Sequence, residues 1–132
     1  MKELTREWIR KAENDHRSAV VLLQKTQEPI VDTACFHCQQ CAEKYLKGFL
    51  TEHQVAFPRR HPLIPLLELC LQIDRGFRAL LTDLRSLEGY AVAVRYPGAT
   101  VTLEMAEDAL ETASRVRAFI RHKLGLPADK FP

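Results

Sequence analysis

The segment most informative about the fold is Ala34-Cys35-Phe36-His37-Cys38-Gln39-Gln40-Cys41-Ala42-Glu43-Lys44-Tyr45-Leu46-Lys47-Gly48-Phe49-Leu50. Its side chains repeat with the period of an α-helix, at about 100° per residue. One stripe is apolar and contains Cys35, Cys38, Ala42, Tyr45, Leu46 and Phe49. A second stripe is polar and contains His37, Gln40, Lys44 and Lys47. We expect one straight helix whose apolar stripe faces the core. The polar stripe should point away from the core, toward a ligand, a partner chain or a neighbouring helix.

The rest of the chain divides into helical segments at its proline and glycine breakers. The pattern predicts helices over about 4–25, 29–53, 63–72, 77–94 and 102–123. Strand-like alternation is absent from the sequence except for a short possibility at 92–94. We therefore predict an all-α fold, an up-and-down four-helix bundle with one additional short helix. It should form a single domain over 1–132, with about 126–132 as a loose tail.

Composition narrows the functional classes. With 132 residues, 46% hydrophobic, 27% charged and a net charge of +2, the chain resembles an ordinary globular domain. No apolar run approaches the ~20 residues that cross a bilayer, and the first residues lack the apolar core of a secretion signal. We therefore expect a cytoplasmic protein with no membrane contact. The small net charge means that phosphate recognition would need a local basic patch.

Three cysteines of the quoted helix have the spacing C-x-x-C-x-x-C, which raises a metal or iron–sulfur hypothesis. No glycine or proline lies between them to bend the backbone. On a straight helix Cys35 and Cys41 point about 120° apart. We interpret Cys35, Cys38 and Cys41 as small buried packing groups, and we predict no metal site and no cofactor. The chain also lacks phosphate-binding glycine loops, H-E-x-x-H and a nucleophile elbow.

The quoted helix resembles the signature helix of the HEPN domain family, whose usual form is close to A-x-F-x-A-Q-Q-A-A-E-K-x-L-K-A-L-L. The first helix is similar to the family pattern W-x-x-x-A-x-x-D-x-x-x-A through Trp8, Ala12, Asp15 and Ala19. His61 precedes an apolar helix, where the family commonly has T-H-x-L, and Arg95-Tyr96-Pro97 matches the family's R-Y-P. Cys38 and Cys41 replace the usual alanines. These similarities occur in order along nearly the whole chain.

The resemblance implies a helical bundle, often dimeric and commonly encoded beside a minimal nucleotidyltransferase as a toxin–antitoxin pair. Our leading hypothesis is a binding and interaction module that forms a homodimer through an apolar helical face. It would associate with a separately encoded nucleotidyltransferase. A nucleotide or RNA phosphate would lie near His37, Lys44, His61, Arg95 and Tyr96. We also expect a structural ion pair between Asp15 and Lys44, and a polar contact of His37 within the bundle.

The alternative hypothesis is a metal-independent endoribonuclease toxin, because some branches of the family use an Arg followed, after four to six residues, by a His. Three pairs have this spacing: Arg10 with His16, Arg115 with His122, and Arg117 with His122. Chance alone supplies such matches, so the spacing does not define a site. The catalytic candidates are Arg117 and His122, which lie about 140° apart on a helix and would converge only at its end or across a dimer. The sequence leaves open the ligand, the partner and whether RNA is cleaved.

Overall fold

The structure is a computed structural model that describes residues 1–60, 62–93 and 97–128. Its elements are α1 (Glu3–Gln24), α2 (Val31–Glu52), α3 (Leu63–Ile73), a 3-10 segment (Arg75–Leu80), α4 (Leu81–Ala93) and α5 (Leu103–Lys123). The all-helical prediction is confirmed over the described residues. Residues 92 and 93 of the suggested strand belong to α4, and residue 94 lies outside the described residues.

The predicted fourth helix differs from the structure at its beginning. Instead of one helix from about 77, a 3-10 segment precedes α4. Asp74 starts this segment, because its carboxylate accepts a hydrogen bond from the Gly76 backbone nitrogen at 2.8 Å. The segment buries Phe77 and Leu80 in the core. Apolar periodicity over 77–94 detected that buried face but did not distinguish the tighter helix from the α-helix.

The central element is α2, which packs against α1, α3, α4 and α5. Its apolar stripe is buried as predicted, with Cys35, Cys38, Ala42, Tyr45 and Leu46 fully inaccessible to solvent. Gly48 allows α1 to approach closely, since a Cβ atom there would lie 2.9 Å from Cδ1 of Ile9. The contact between α1 and α2 is the most extensive in the fold. Side chains facing each other across it therefore have little room for a ligand.

The last helix runs antiparallel to α1, with Arg117 beside Glu13 and Glu104 near Gln24. Thr102 caps α5, because its hydroxyl accepts a hydrogen bond from the Met105 backbone nitrogen at 3.1 Å. The chain after α5 folds back at 126–128, where Leu126 donates to the Arg121 carbonyl at 2.8 Å. The remainder of the predicted tail, 129–132, lies outside the described residues. None of the described helices is both long and apolar enough to cross a membrane.

Candidate functional site

The polar stripe of α2 meets α1 at Asp15. Lys44 donates a hydrogen bond from Nζ to Asp15 Oδ2 at 2.6 Å, and His37 Nδ1 lies 2.7 Å from Asp15 Oδ1. The Asp15 side chain is only 9% exposed, whereas those of His37 and Lys44 are about a quarter exposed. We call these three residues the Asp15 cluster. The predicted ion pair between Asp15 and Lys44 and the predicted polar contact of His37 are both confirmed.

Lys47 does not point away from the core, so the expectation for this end of the stripe is wrong. The residue is buried, and its ammonium group lies 2.8 Å from Glu43 Oε2. The same nitrogen is 5.2 Å from the centre of the Trp8 ring and 5.7 Å from that of Phe57. A carboxylate and two aromatic faces compensate for the lost hydration of the charge. Lys47 therefore helps to join α2 to α1 and to the loop that carries Phe57.

A second polar cluster is centred on Glu13 of α1. Arg117 binds its carboxylate through two hydrogen bonds, from Nε at 2.6 Å and from Nη2 at 2.8 Å. The Tyr45 hydroxyl also donates to this carboxylate, and Nη1 of Arg121 lies 3.7 Å from it. Arg121 is fully buried and donates to the Tyr45 hydroxyl and to the Pro127 carbonyl. We call these four side chains the Glu13 cluster.

The charges of the Glu13 cluster shift the pKa values of its members. Burial by itself would raise the pKa of the Glu13 carboxyl. Hydrogen bonds from Arg117 and Tyr45, with the positive charges of Arg117 and Arg121, hold that pKa below 4.5. Burial and the neighbouring Glu13 carboxylate raise the pKa of the Tyr45 hydroxyl well above its usual range. At neutral pH the Glu13 cluster therefore connects α1, α2 and α5 through ion pairs and hydrogen bonds.

Two surface clefts lie side by side in the groove between α1 and α5. The basic cleft, of about 730 Å³, is lined by Arg10, Glu13, Asn14, His16, Arg17, Val20 and Arg117. The acidic cleft, of about 600 Å³, has His16, Val20, Gln24, Glu104, Glu107, Asp108, Leu110, Glu111, Ser114 and Arg115 in its walls. Both clefts share His16 and Val20, which separate opposite charges along the groove.

His16 is held at this boundary by α5. Its Nε2 lies 2.9 Å from the Ser114 hydroxyl oxygen, and that hydroxyl donates to the Leu110 carbonyl at 2.8 Å. Since a serine hydroxyl has a single hydrogen, Ser114 must accept from Nε2–H, which leaves Nδ1 as the proton acceptor of the neutral ring. Burial, and secondarily the charge of Arg117, lower the pKa of His16 below 6.5. His16 is therefore neutral at physiological pH.

The sequence-predicted site residues are distributed over several places. His37 and Lys44 are brought together by Asp15, whereas His61, Arg95 and Tyr96 lie outside the described residues. The residues of the three Arg–His pairs with the expected spacing also lie in different places. Arg10 and His16 line the same basic cleft. Arg117 belongs to the Glu13 cluster, Arg115 pairs with Asp83 at 3.1 Å, and His122 is exposed at the end of α5.

Sequence reasoning missed the Glu13 cluster and the basic cleft. It placed Tyr45 only in the apolar stripe, and it treated Arg117 only as a catalytic candidate with His122. A signal was present, because Arg117 and Arg121 are four residues apart and so share one face of the helix. Likewise Arg10 and Arg17 are seven residues apart, which places them on one face of α1 two turns apart. Neither pattern shows which helix covers that face.

The three thiols of α2 are buried and unbonded, as is Cys70 of α3. Burial raises the pKa of Cys35 to about 11 and that of Cys38 to about 12, and it raises the pKa of Cys41 strongly. The packing role predicted for these residues is confirmed by their position in the core. Over the described ranges, no group of three or more His, Cys, Asp or Glu side chains is arranged to hold a metal ion.

The helical architecture, together with the residues of α1 and α2 that resemble the HEPN pattern, defines a known class of protein. The chain belongs to the HEPN domain family, whose sequence profile matches residues 5–123. Among curated relatives, it is 30% identical to the protein named "Putative toxin MJ1304" from Methanocaldococcus jannaschii, over 90% of each chain.

Two solved structures share this fold. One is described as "ST0689, an archaeal HEPN homologue", with 26% identity, a TM-score of 0.74 and coverage of 94% of this chain and 99% of that chain. The other is TT1696 from Thermus thermophilus, with 29% identity, a TM-score of 0.72 and coverage of 92% and 99%. The family identified by resemblance is thereby confirmed.

Proposed function

We propose that this chain is the helical component of a toxin–antitoxin-type pair that binds RNA or a nucleotide and is restrained by a separately encoded minimal nucleotidyltransferase. The observation that carries the proposal is the similarity, over 90% of both chains, to a relative whose name describes a toxin. Arginine side chains on α1 and α5 provide groups suited to phosphate. The protein would act as a homodimer, as members of its family often do.

Within this proposal the Asp15 cluster has a structural role. His37 and Lys44 both contact a carboxylate that is itself nearly buried, and a phosphate brought to the same place would meet that negative charge. We therefore assign these two residues to holding α1 against α2. His61, Arg95 and Tyr96 remain proposed ligand contacts.

The proposal is tested by expressing the chain from an inducible promoter in a bacterial host, alone or with the nucleotidyltransferase gene encoded beside it. Growth should stop when the chain is expressed alone and resume on co-expression, and the two proteins should purify together. A Leu46→Asp variant, which places a charge in the core, should be harmless because the bundle cannot pack. Unimpaired growth at verified expression of the intact chain, or the lack of such a neighbouring gene, would contradict the proposal.

A second candidate function is metal-independent endoribonuclease activity, favoured by the position of Arg10 and His16 on one cleft. A neutral His16 could take the proton of an RNA 2′-hydroxyl, and an arginine could stabilise the charge that develops on the phosphorus oxygens. Cleavage of RNA in the presence of EDTA tests it. Loss of cleavage in His16→Gln but not in His122→Gln would assign the activity to the basic cleft. The reverse pattern would assign it to the Arg117–His122 pair, and no cleavage by the intact chain would eliminate the enzyme.

A further inference from the structure

The groove between α1 and α5 is divided by charge into two halves. Among the described residues that line it, the basic cleft carries three arginines and one carboxylate, that of Glu13. The acidic cleft carries four carboxylates, Glu104, Glu107, Asp108 and Glu111, and one arginine. His16, which is shared by both clefts, is neutral near pH 7 and leaves this balance unchanged. A polyanion approaching the groove is therefore attracted at one end and repelled at the other.

The basic cleft presents its arginines in a regular arrangement. Arg10 and Arg17 are separated by two turns of α1, which places their Cα atoms about 10 Å apart along one face. Asn14 lies between them, and all three side chains are exposed. Among the residues that the structure describes, Arg17 forms no ion pair or hydrogen bond. Its guanidinium group is thus available to bind a phosphate through two parallel hydrogen bonds.

Arg117 completes the cleft from the opposite helix. Three of its donors are already used, two by the Glu13 carboxylate and one by the Ala128 carbonyl at 2.7 Å. A guanidinium group has five N–H donors, so two remain. Because these contacts fix the orientation of Arg117, which lines the cleft, its side chain has little entropy left to lose on binding a ligand there.

We propose that the basic cleft is a binding site for the phosphate groups of an RNA strand or a nucleotide. Arg10 and Arg17 contribute exposed guanidinium groups from α1, and Arg117 contributes donors held in place from α5. The carboxylates of the acidic cleft confine a bound strand to the end of the groove where α1 begins. The inference builds on the proposed function, since it adds a surface at which that function would meet its ligand.

The test measures binding of a fluorescent single-stranded RNA and, separately, of ATP to the purified full chain. The double variant Arg10→Gln/Arg17→Gln removes two exposed charges from the cleft. The matched control is Arg78→Gln/Arg85→Gln, which removes two exposed arginines with the same seven-residue spacing from another part of the surface. We expect the cleft variant to lose affinity at least tenfold and the control to stay within about twofold of the wild type. The slope of log RNA affinity against log salt concentration should become less steep in the cleft variant, by an amount equivalent to about two phosphate contacts.

A second variant keeps the test informative if the first one folds poorly. Glu107→Gln/Glu111→Gln neutralises part of the acidic cleft, and RNA affinity should rise about two- to fivefold because repulsion along the groove decreases. If the cleft variant Arg10→Gln/Arg17→Gln loses affinity for only one of the two ligands, that ligand is the source of the phosphate. If it loses affinity for both RNA and ATP, the cleft accepts phosphate from either source.

Binding that both arginine variants weaken equally would overturn the assignment to the cleft, because it would depend on total charge alone. Wild-type binding that neither variant changes would overturn it as well, and in both cases the proposed function would stand. If the wild type bound neither RNA nor ATP, the binding part of the proposed function would fail together with the cleft.

Discussion

Replacing Glu13 by Gln should reveal how much of the stability of the bundle depends on one carboxylate. The substitution keeps the size of the side chain and one oxygen acceptor, but it removes the negative charge. Arg117 and the fully buried Arg121 would then face each other across a neutral amide. The Tyr45 hydroxyl would lose its charged acceptor at the same time.

The magnitude follows from the burial of the cluster. The exposed fractions of the side chains are 13% for Glu13, 15% for Arg117 and 0% for Arg121, so solvent does little to compensate for the lost charge. Removing one partner from a buried ion pair costs about 3–5 kcal/mol, and the retained oxygen favours the lower end, about 3 kcal/mol. With a urea m-value of about 2 kcal/mol per molar, the unfolding midpoint should fall by roughly 1.5 M.

Urea unfolding followed by circular dichroism measures this change. Glu7→Gln is the matched control, because Glu7 is an exposed glutamate of the same helix. Its effect on the free energy of unfolding should stay within about 0.5 kcal/mol. A loss below about 1 kcal/mol for Glu13→Gln, or equal losses for both variants, would show that the cluster does not have this role.

The pH dependence provides an independent check. Folding lowers the pKa of Glu13 below its ordinary 4.5, so the stability that its charge contributes is present above that pH and is lost as the pH falls through the folded pKa. The wild type and Glu13→Gln should therefore become more nearly equal in stability in acid. A difference that persists undiminished below the pH at which Glu13 titrates in the folded protein would show that packing, not charge, distinguishes the two proteins.

Further predictions concern close packing and buried titrating groups. In Gly48→Ala the new Cβ would lie 2.9 Å from Cδ1 of the fully buried Ile9 and 3.3 Å from Cβ of Trp8. An overpacking cost of about 2 kcal/mol exceeds the helix-propensity gain of about 1 kcal/mol, so this variant should be destabilised by about 1 kcal/mol. Gly89→Ala, in open space on α4, should be stabilised by about 0.5–1 kcal/mol, and thermal midpoints that shift in the same direction would contradict both expectations. Folding lowers the pKa of His16 from 6.5, so the free energy of unfolding of the wild type should decrease as the pH falls below 6.5. Urea titrations at pH 7.5 and 5.5 should show a smaller decrease for His16→Gln than for the wild type. Burial raises the pKa of Cys38 from 9.0 to about 12. The stability contributed by the buried neutral thiol should therefore be complete below pH 9 and be lost as the pH rises toward 12. Alkylation of this thiol should be slow in the native protein and become fast when denaturant is added.

Much of the fold could be predicted from local pattern. The repeat within 34–50 predicted a continuous α2, and proline and glycine breakers separated the five helices at close to their observed bounds. Where the prediction missed, at the 3-10 segment Arg75–Leu80, the apolar spacing was compatible with both kinds of helix. The local hydrogen bond from Gly76 to Asp74, together with packing, selects the tighter one.

The candidate site was less predictable. The Asp15–Lys44 pair could be anticipated, because a carboxylate and an ammonium group on two helices of a predicted bundle favour contact with each other. The burial of Lys47 could not, since it depends on Trp8 and Phe57 closing over it from outside α2. The spacing of Arg10 and His16 was visible in the sequence, but two other Arg–His pairs had equally acceptable spacings, and only the groove between α1 and α5 distinguishes them.

Position along the chain was enough to establish which residues share a face of each helix, because the rise and turn of an α-helix are fixed. What each face meets depends on the packed bundle: a carboxylate of α1 for Arg117, a tyrosine and a backbone carbonyl for Arg121, and solvent for Arg17. These partners lie up to about a hundred residues away in the chain, as with Glu13 and Arg117. Their contact depends on the alignment of whole helices as they pack, which the spacing of residues within any one helix does not encode.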